Sequence, residues 1–268
     1  MAADKVKEEL ARKSELVRNE KKLTTSMSIA DMIKAMEPEI KKALPDIMTP
    51  ERFTRMALSA LNTTPKLTEC TPMSFLAALM NAAQLGLEPN TPLGQAYLIP
   101  YKNKGVMECQ FQIGYKGLID LSYRNPEMRI IQAQVVYEND YFEYELGLEP
   151  KLLHRPALKD RGEIRIFYGL FKLCNGGFGF EVMNRQEIDR YAKEHSYAFE
   201  ESYSPWKTNY ISMAKKTVIK QALKYAPLKT ELRKILSTDE SIKTQLCEDM
   251  TEVQGQLLIG SEEEEAVA

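Results

Sequence analysis

The chain has 268 residues, of which 44% are hydrophobic and 28% are charged, and its formal net charge is −2. These values are ordinary for a globular protein with one large domain or two small ones. No apolar run approaches the ~20 residues that cross a bilayer, and the N-terminus is charged from Asp4 onward. A membrane partner and a secretory signal peptide are therefore not expected, and the cytoplasm is the predicted location.

The thiols and imidazoles give no metal-binding pattern. A structural zinc site takes four Cys or His ligands at short paired spacings. Here these residues are few and widely scattered: Cys70, Cys109, Cys174, Cys247, His154 and His195. We predict reduced thiols packed within the fold, no metal site and no bound cofactor.

Charge is distributed unevenly near the C-terminus. Residues 205–234 carry eight basic side chains and one acid, Glu231, whereas residues 238–268 carry nine acids against Lys243. The net charge of −2 for the whole chain therefore does not reveal a basic segment that is followed by an acidic one. We expect the tail to be disordered, and its last acids, Glu262–Glu265, to compete with a polyanion or to recruit a partner.

The N-terminal third is predicted to be helical. Residues 1–25 carry mixed charge and few large apolar groups, which indicates a flexible segment. Three helices follow, each opened by a capping residue: 28–45, 49–61 and 71–86. The main domain is expected to occupy residues 26–237.

The pattern then changes to the period-two alternation of strands. Residues 95–101 and 106–113 predict a β-hairpin around a four-residue loop, 102–105, with Tyr97 opposite Gln110. One face would be apolar and would face the core. The other would present polar and aromatic side chains: Gln95, Tyr97, Tyr101, Gln110 and Gln112.

Further elements are predicted in alternation along the chain. A short helix covers 115–124, and strand-like runs cover 129–137, 141–146, 163–173 and 178–183. A polar helix follows from about 184 to 195, and a long basic helix runs from Ser204-Pro205 to Pro227. Helices, then an antiparallel sheet, then helices predict an α+β fold with a sheet core flanked by N-terminal and C-terminal helices.

The basic helix is the most informative segment. Its helical periodicity predicts two faces. The apolar face consists of Ile211, Ala214, Val218, Ala222 and Tyr225, and the other face consists of Asn209, Lys216, Lys220 and Lys224. Lysines one turn apart repel each other, and a nucleic-acid backbone would relieve that repulsion. A merely solvated lysine face explains the pattern equally well, but the neighbouring Trp206, Tyr210 and Asn209 favour nucleic acid because such groups can meet bases.

Enzymatic alternatives find less support. The sequence has no phosphate-binding GxxxxGK[ST] run, which argues against a P-loop ATPase. Four acids lie close together, Glu138, Asp140, Glu143 and Glu145, and such carboxylates could hold a divalent metal for nuclease chemistry. Acids also cluster in loops for other reasons, so a metal-dependent nuclease or repair enzyme stays the alternative.

Three motifs resemble the RecT family of phage single-strand annealing proteins. They are Gly86–Pro89, Gly94–Tyr101 and Gln110–Leu118, with the later Pro205-Trp206 and Met213–Thr217. The resemblance covers roughly residues 30–230. It implies a non-enzymatic protein that binds single-stranded DNA and anneals complementary strands without ATP during phage homologous recombination in a bacterial host cell.

The resemblance also implies partners and assembly. Such proteins form rings or helical filaments on single-stranded DNA and on the annealed duplex. The expected partners are a 5′-to-3′ exonuclease and the host single-strand-binding protein. The expected role of magnesium is assistance in annealing, without a dedicated site. A plain single-strand coating protein is the further alternative.

We assign the DNA-binding surface to the hairpin, to the helix that follows it and to the basic helix. No catalytic residue is assigned. The predicted DNA-binding residues are Gln95, Tyr97, Tyr101, Lys102, Lys104, Gln110, Gln112, Lys116, Arg124, Trp206, Lys207, Asn209, Lys215, Lys216, Lys220 and Lys224.

Overall fold

The structure is a computed structural model that describes residues 29–44, 48–103, 105–196, 199–201, 204–227, 239, 241–247, 249–250 and 252–257. The predicted α+β class is confirmed, since every strand pairing is antiparallel and helices pack on the sheets. Within the described residues no helix is long and apolar enough to cross a membrane. The flexible segment assigned to 1–25 and the acids Glu262–Glu265 lie outside these residues.

The first predicted helix is in fact two, α1 (Ile29–Ala35) and α2 (Glu37–Ala43). Pro38 explains the break, because a proline inside a continuous helix removes one backbone hydrogen bond and clashes with the carbonyl four residues earlier. At the start of α2 the same proline is tolerated, since the first N–H groups of a helix have no partner within it.

The next two helices form as predicted. Helix α3 (Pro50–Thr63) begins at Thr49, whose side chain accepts a hydrogen bond from the N–H of Arg52. A short 3₁₀ helix (Pro65–Glu69) leads to α4 (Pro72–Gln84). Helix α4 is buried along almost its whole length and packs on the hairpin, so it forms the centre of the core.

The hairpin consists of β1 (Ala96–Asn103) and β2 (Val106–Ile113). Its register is shifted by two residues from the predicted one: Asn103 pairs with Val106, and Tyr97 pairs with Gln112. The loop therefore has two residues and not four, and its Gly105 has a φ of 86°, which the tight turn requires. Because side chains alternate with period two, an even shift leaves both predicted faces intact.

Helix α5 (Tyr115–Tyr123) follows β2 directly. Its start lies against the beginning of β1 at an unusually short distance. A Cβ atom at Gly117 would stand 2.1 Å from the carbonyl oxygen of Gln95, and one at Gly114 would stand 2.2 Å from that of Gly94. These glycines are therefore required for close backbone packing.

A second sheet has the order β3 (Met128–Tyr137), β6 (Ile164–Leu173), β7 (Phe178–Asn184). A separate hairpin joins β4 (Tyr141–Glu145) to β5 (Lys151–Arg155). Strand β5 was not predicted. Strand β5 is short, and its own residues show no clear alternation of apolar and polar side chains. It is a strand because it pairs with β4.

The C-terminal helices close the fold. Helix α6 (Arg185–His195) starts with a capping box formed by Asn184 and Glu187. The predicted long basic helix is interrupted at Asn209, which separates α7 (Pro205–Thr208) from α8 (Tyr210–Leu223). Helix α8 packs on the second sheet and also contacts α5, the helix that follows the first hairpin.

Part of the segment that we expected to be a disordered tail belongs to the folded structure. Two short strands, β8 (Ser241–Ile242) and β9 (Gln256–Leu257), extend the first sheet in the order β1-β2-β8-β9. Asp239, Lys243 and Met250 are buried as well. These side chains are buried by contacts with α4, α8 and β2, which are distant in the sequence. The acidic composition of the segment therefore could not predict their burial.

Asp140 fixes the β4–β5 hairpin to the second sheet. Its side chain is fully buried and accepts hydrogen bonds from Arg161 (Nε, 3.0 Å), from His154 (Nε2, 3.1 Å) and from the main-chain N–H groups of Tyr137 and Ala157. The bonds from Arg161 lower the pKa of this carboxyl well below its ordinary value of 3.8, outweighing the effect of burial.

We expect Asp140→Asn to loosen this hairpin and to lower the free energy of unfolding by roughly 3 kcal/mol, because Arg161 loses its buried counter-charge. A carboxyl with a lowered native pKa stabilises the fold above pH 4 and loses that contribution as the pH falls. Urea unfolding at pH 7 and pH 3 should therefore show a smaller pH dependence for the variant. An unchanged pH dependence would contradict this account.

Candidate nucleic-acid interface

A groove of about 970 Å³ runs between the outer face of the β1–β2 hairpin and the C-terminal helices. Strands β1 and β2 form one wall. The end of α6, α7 and the first half of α8 form the other, and Asp239 also lines the groove. The groove thus joins the two segments that the sequence pointed to, the polar hairpin face and the basic helix.

The structure brings half of the predicted DNA-binding residues together in this groove. They are Tyr97, Tyr101, Gln110, Gln112, Trp206, Asn209, Lys216 and Lys220. Seven others do not line it: Gln95, Lys102, Lys116, Arg124, Lys207, Lys215 and Lys224. Lys104 lies outside the described residues.

The hairpin wall presents aromatic and amide groups to the groove. Tyr97 is 40% exposed, and its ring lies over Gly94 and Gly114, where any Cβ atom would come within about 3 Å of it. Tyr101 and Gln110 follow on the same face, and Gln112 lies beneath them, largely buried. Flat rings beside amides suit stacking on bases without sequence readout.

Trp206 contributes less than its position in the sequence suggested. We expected its ring to be available to bases, but only 5% of the residue is exposed. The ring packs edge-on between Phe199 and Tyr210, with centroid distances of 6.1 and 6.0 Å. The hydroxyl of Tyr210 donates to Asp189 at 2.7 Å, and burial, with this bond, raises the pKa of Tyr210. Trp206 is therefore mainly a core residue at the groove floor.

The lysines of α8 do not form the predicted exposed row. Lys216 is almost fully buried and Lys220 is partly buried, and both ammonium groups contact the carboxylate of Asp239, at 2.9 and 3.0 Å. Lys224 alone of the three is exposed. The apolar face is also narrower than predicted, because Ile211 and Tyr225 are exposed. Contacts with the second sheet set the rotation of α8, and helical periodicity alone could not fix it.

Other predicted cations flank the groove. Lys207 adjoins Trp206 on α7 and forms an ion pair with Glu200 at 3.2 Å. Lys215 lies 5.7 Å from the ring of Tyr115, a groove residue, and burial lowers its pKa. Lys116 is exposed at the start of α5. These three lysines thus place cations beside the groove, where a nucleic-acid backbone would run.

Arg124 has a structural role instead. Its guanidinium donates to the carbonyl oxygen of Leu85 at 2.6 Å and to Asp120 at 2.8 Å. The first bond caps the C-terminal end of α4, where carbonyl groups lack partners within the helix. This contact explains the residue without any ligand.

Several groove residues were missed from the sequence. The rings of Tyr191 and His195 stack at 4.0 Å, and their spacing of one helical turn on α6 was the available signal. Asn90, with a positive φ of 55°, accepts from the N–H of Leu98 and donates to Thr64. Asp239 was counted with the tail acids, and no local pattern separates it from them.

The carboxylates considered for a nuclease site are engaged in local contacts. Asp140 accepts hydrogen bonds from Arg161 and His154. Glu138 accepts from the N–H of Glu163, Glu143 accepts from the hydroxyl of Tyr141 at 2.6 Å, and Glu145 pairs with Lys151. Among the described residues, no three His, Cys, Asp or Glu side chains are grouped so as to hold a metal ion.

Comparison with known proteins decides the family. The model of the RecT family matches residues 51–254, a range that extends from the first turn of α3 through β8 and contains every described groove residue. The chain belongs to the RecT family. Membership places it with DNA-binding proteins of recombination that anneal single strands.

Two curated proteins show the extent of the likeness. Protein RecT of Escherichia coli (strain K12) is 39% identical over 210 residues, which are 77% of each chain. Uncharacterized protein YqaK of Bacillus subtilis (strain 168) is 29% identical over 192 residues, which are 71% of this chain and 64% of YqaK. The RecT motifs Gly94–Tyr101 and Gln110–Leu118 now have a physical explanation. They form the groove wall and the close packing of α5 on β1.

We expect Tyr97→Ala to weaken binding of a single-stranded oligonucleotide about tenfold, since stacking of one base on an aromatic ring contributes roughly 1–3 kcal/mol. Fluorescence anisotropy with a labelled oligonucleotide measures this. Phe178→Ala is the matched control, because Phe178 is 50% exposed on β7 of the second sheet and does not line the groove. Equal losses in both variants would remove the groove from the binding site.

Proposed function

We propose that this RecT-family protein binds single-stranded DNA along the groove and anneals it to a complementary strand without ATP. One observation is the main support for this proposal. The aromatic and amide face of the hairpin and the lysine-bearing helix α8 line the same groove, through Tyr97, Tyr101 and Gln110 on one side and Lys216 and Lys220 on the other. Membership of the family supports annealing as the activity. The absence of nucleotide hydrolysis and a role in phages belong to the proposal.

The chemistry of the groove suits annealing better than sequence recognition. Phosphate repulsion between two single strands slows their pairing, and cations beside the groove reduce it for the first strand. Rings and amides hold bases without reading their identity. Specificity then comes from base pairing itself, so the protein supplies charge and shape.

We expect the protein to accelerate pairing of two complementary labelled oligonucleotides, added one after the other, in the absence of ATP and compared with the spontaneous rate. Strands that stay single and intact for longer would indicate a coating protein. Shortened strands in the presence of magnesium would indicate the nuclease alternative. Either of these results would overturn the proposal.

The proposal includes assembly on DNA as a homo-oligomer. The tip of the β4–β5 hairpin exposes large apolar side chains, with Leu146 74% and Leu148 fully exposed. Exposed apolar side chains grouped on a projecting element are typical of interaction surfaces. Assembly would multiply weak contacts of single subunits along one strand. A 5′-to-3′ exonuclease and a host single-strand-binding protein in the bacterial cytoplasm complete the proposed partners.

We expect the double variant Leu146→Ser, Leu148→Ser to require about tenfold more protein to assemble on single-stranded DNA, because each apolar contact across a subunit interface is lost. Mass photometry measures the distribution of complex sizes. Leu93→Ser, which changes a 53% exposed loop leucine, is the control. Unchanged assembly of the double variant would show that subunits meet elsewhere.

A further inference from the structure

Three hydrogen-bond donors converge on the carboxylate of Asp239. The main-chain N–H of Ile113 donates to Oδ1 at 2.7 Å, and the ammonium groups of Lys216 and Lys220 contact Oδ2 at 2.9 and 3.0 Å. The Asp239 side chain is fully buried, and 4% of the Lys216 side chain is exposed. The donors come from β2 and α8, whereas the acceptor comes from the C-terminal segment.

This donor set is that of an anion site. A backbone N–H beside two ammonium groups is the combination that proteins use to bind phosphate oxygens. A phosphodiester resembles the aspartate carboxylate in the relevant respects, since each carries one negative charge on two free oxygens.

The position of the site links it to the nucleic-acid groove. Lys216, Lys220 and Asp239 line the same groove as Tyr97 and Gln110. A strand whose bases lie on the hairpin face would place its backbone toward α8. The lysines that could meet it are held by the protein's own carboxylate.

The attachment of Asp239 permits exchange. Strand β8 joins β2 through one registered pair, Phe111 with Ser241. The stronger anchor follows later in the chain, where buried Lys243 donates to the carbonyl oxygen of Met250 and Ile242 is buried. Asp239 could therefore leave its three donors while the segment beyond it stays docked.

We propose that Asp239 occupies a phosphodiester-binding site formed by Ile113 N–H, Lys216 and Lys220, and that a DNA strand must displace it to load fully into the groove. The C-terminal segment then acts as an internal competitor of DNA. This inference rests on the proposed function of the groove. Reversing the charge of both lysines would set three acids side by side and disrupt the fold, so the test changes Asp239 instead.

The test uses the full chain with Asp239→Asn, which keeps an oxygen for the N–H of Ile113 and removes the charge. We expect single-stranded DNA to bind about three- to tenfold more tightly, with a salt dependence steeper by about 0.7 to 1.4 in log–log slope, as for one or two further phosphate contacts. Glu252→Gln is the matched control, since it removes one charge from an exposed position of the same segment. Equal gains in both variants, or no gain for Asp239→Asn, would overturn the proposal.

A second measurement is independent of DNA binding. In Asp239→Asn both lysines lose their ion pair with this carboxylate, so the unfolding temperature should fall, and inorganic phosphate should raise it more than chloride at the same ionic strength. The wild-type protein should show a much smaller difference between the two salts. Equal responses of variant and wild type would overturn the anion site. If the wild-type protein fails to bind single-stranded DNA, the proposed function is overturned instead. The comparison of unfolding temperatures in phosphate and in chloride would then still show whether the anion site at Asp239 exists.

Discussion

An ammonium group in a protein interior costs several kilocalories per mole unless an opposite charge meets it there. Helix α8 packs its apolar side on the second sheet and thereby carries Lys216 inward, beside the hairpin. Asp239 meets this lysine and Lys220, and also the N–H of Ile113. One carboxylate thus links the first sheet and α8 to the C-terminal segment. The shape and charge of the groove depend on this contact.

The groove that results is aromatic and amide-rich at its hairpin wall, and further lysines lie beside it. A continuous cationic trough would hold a strand tightly but would also hold a duplex product. In the proposed function, a groove in which Asp239 offsets the inner lysines would bind the first strand more weakly for each subunit, so the proposed assembly along the DNA would be required to supply affinity. The exposed leucines of the β4–β5 hairpin, which Asp140 and Arg161 fix to the sheet, fit that requirement.

Much of the fold could be predicted because it follows from local signals. The alternation of apolar and polar residues located β1 and β2 and identified which face is polar, and the two-residue error in register left that face unchanged. The caps at Thr49 and Asn184 marked helix starts correctly. The break in the first helix was missed although Pro38 is a local signal. Strand β5 was missed because its partner, rather than its composition, makes it a strand.

The sequence by itself determined the class of fold, the family, and the two segments that form the groove, since periodicity, turn residues and family motifs are written along the chain. Only the tertiary structure decided which side chains the groove presents. In the folded protein Trp206 and Lys216 are buried, and Arg124 caps the end of a helix. Asp239, which belongs to the acidic C-terminal segment, lies in the interior. The physical reason is that burial and ion pairing depend on elements far apart in sequence, here α8, β2 and the C-terminal segment, whose packing no local pattern encodes.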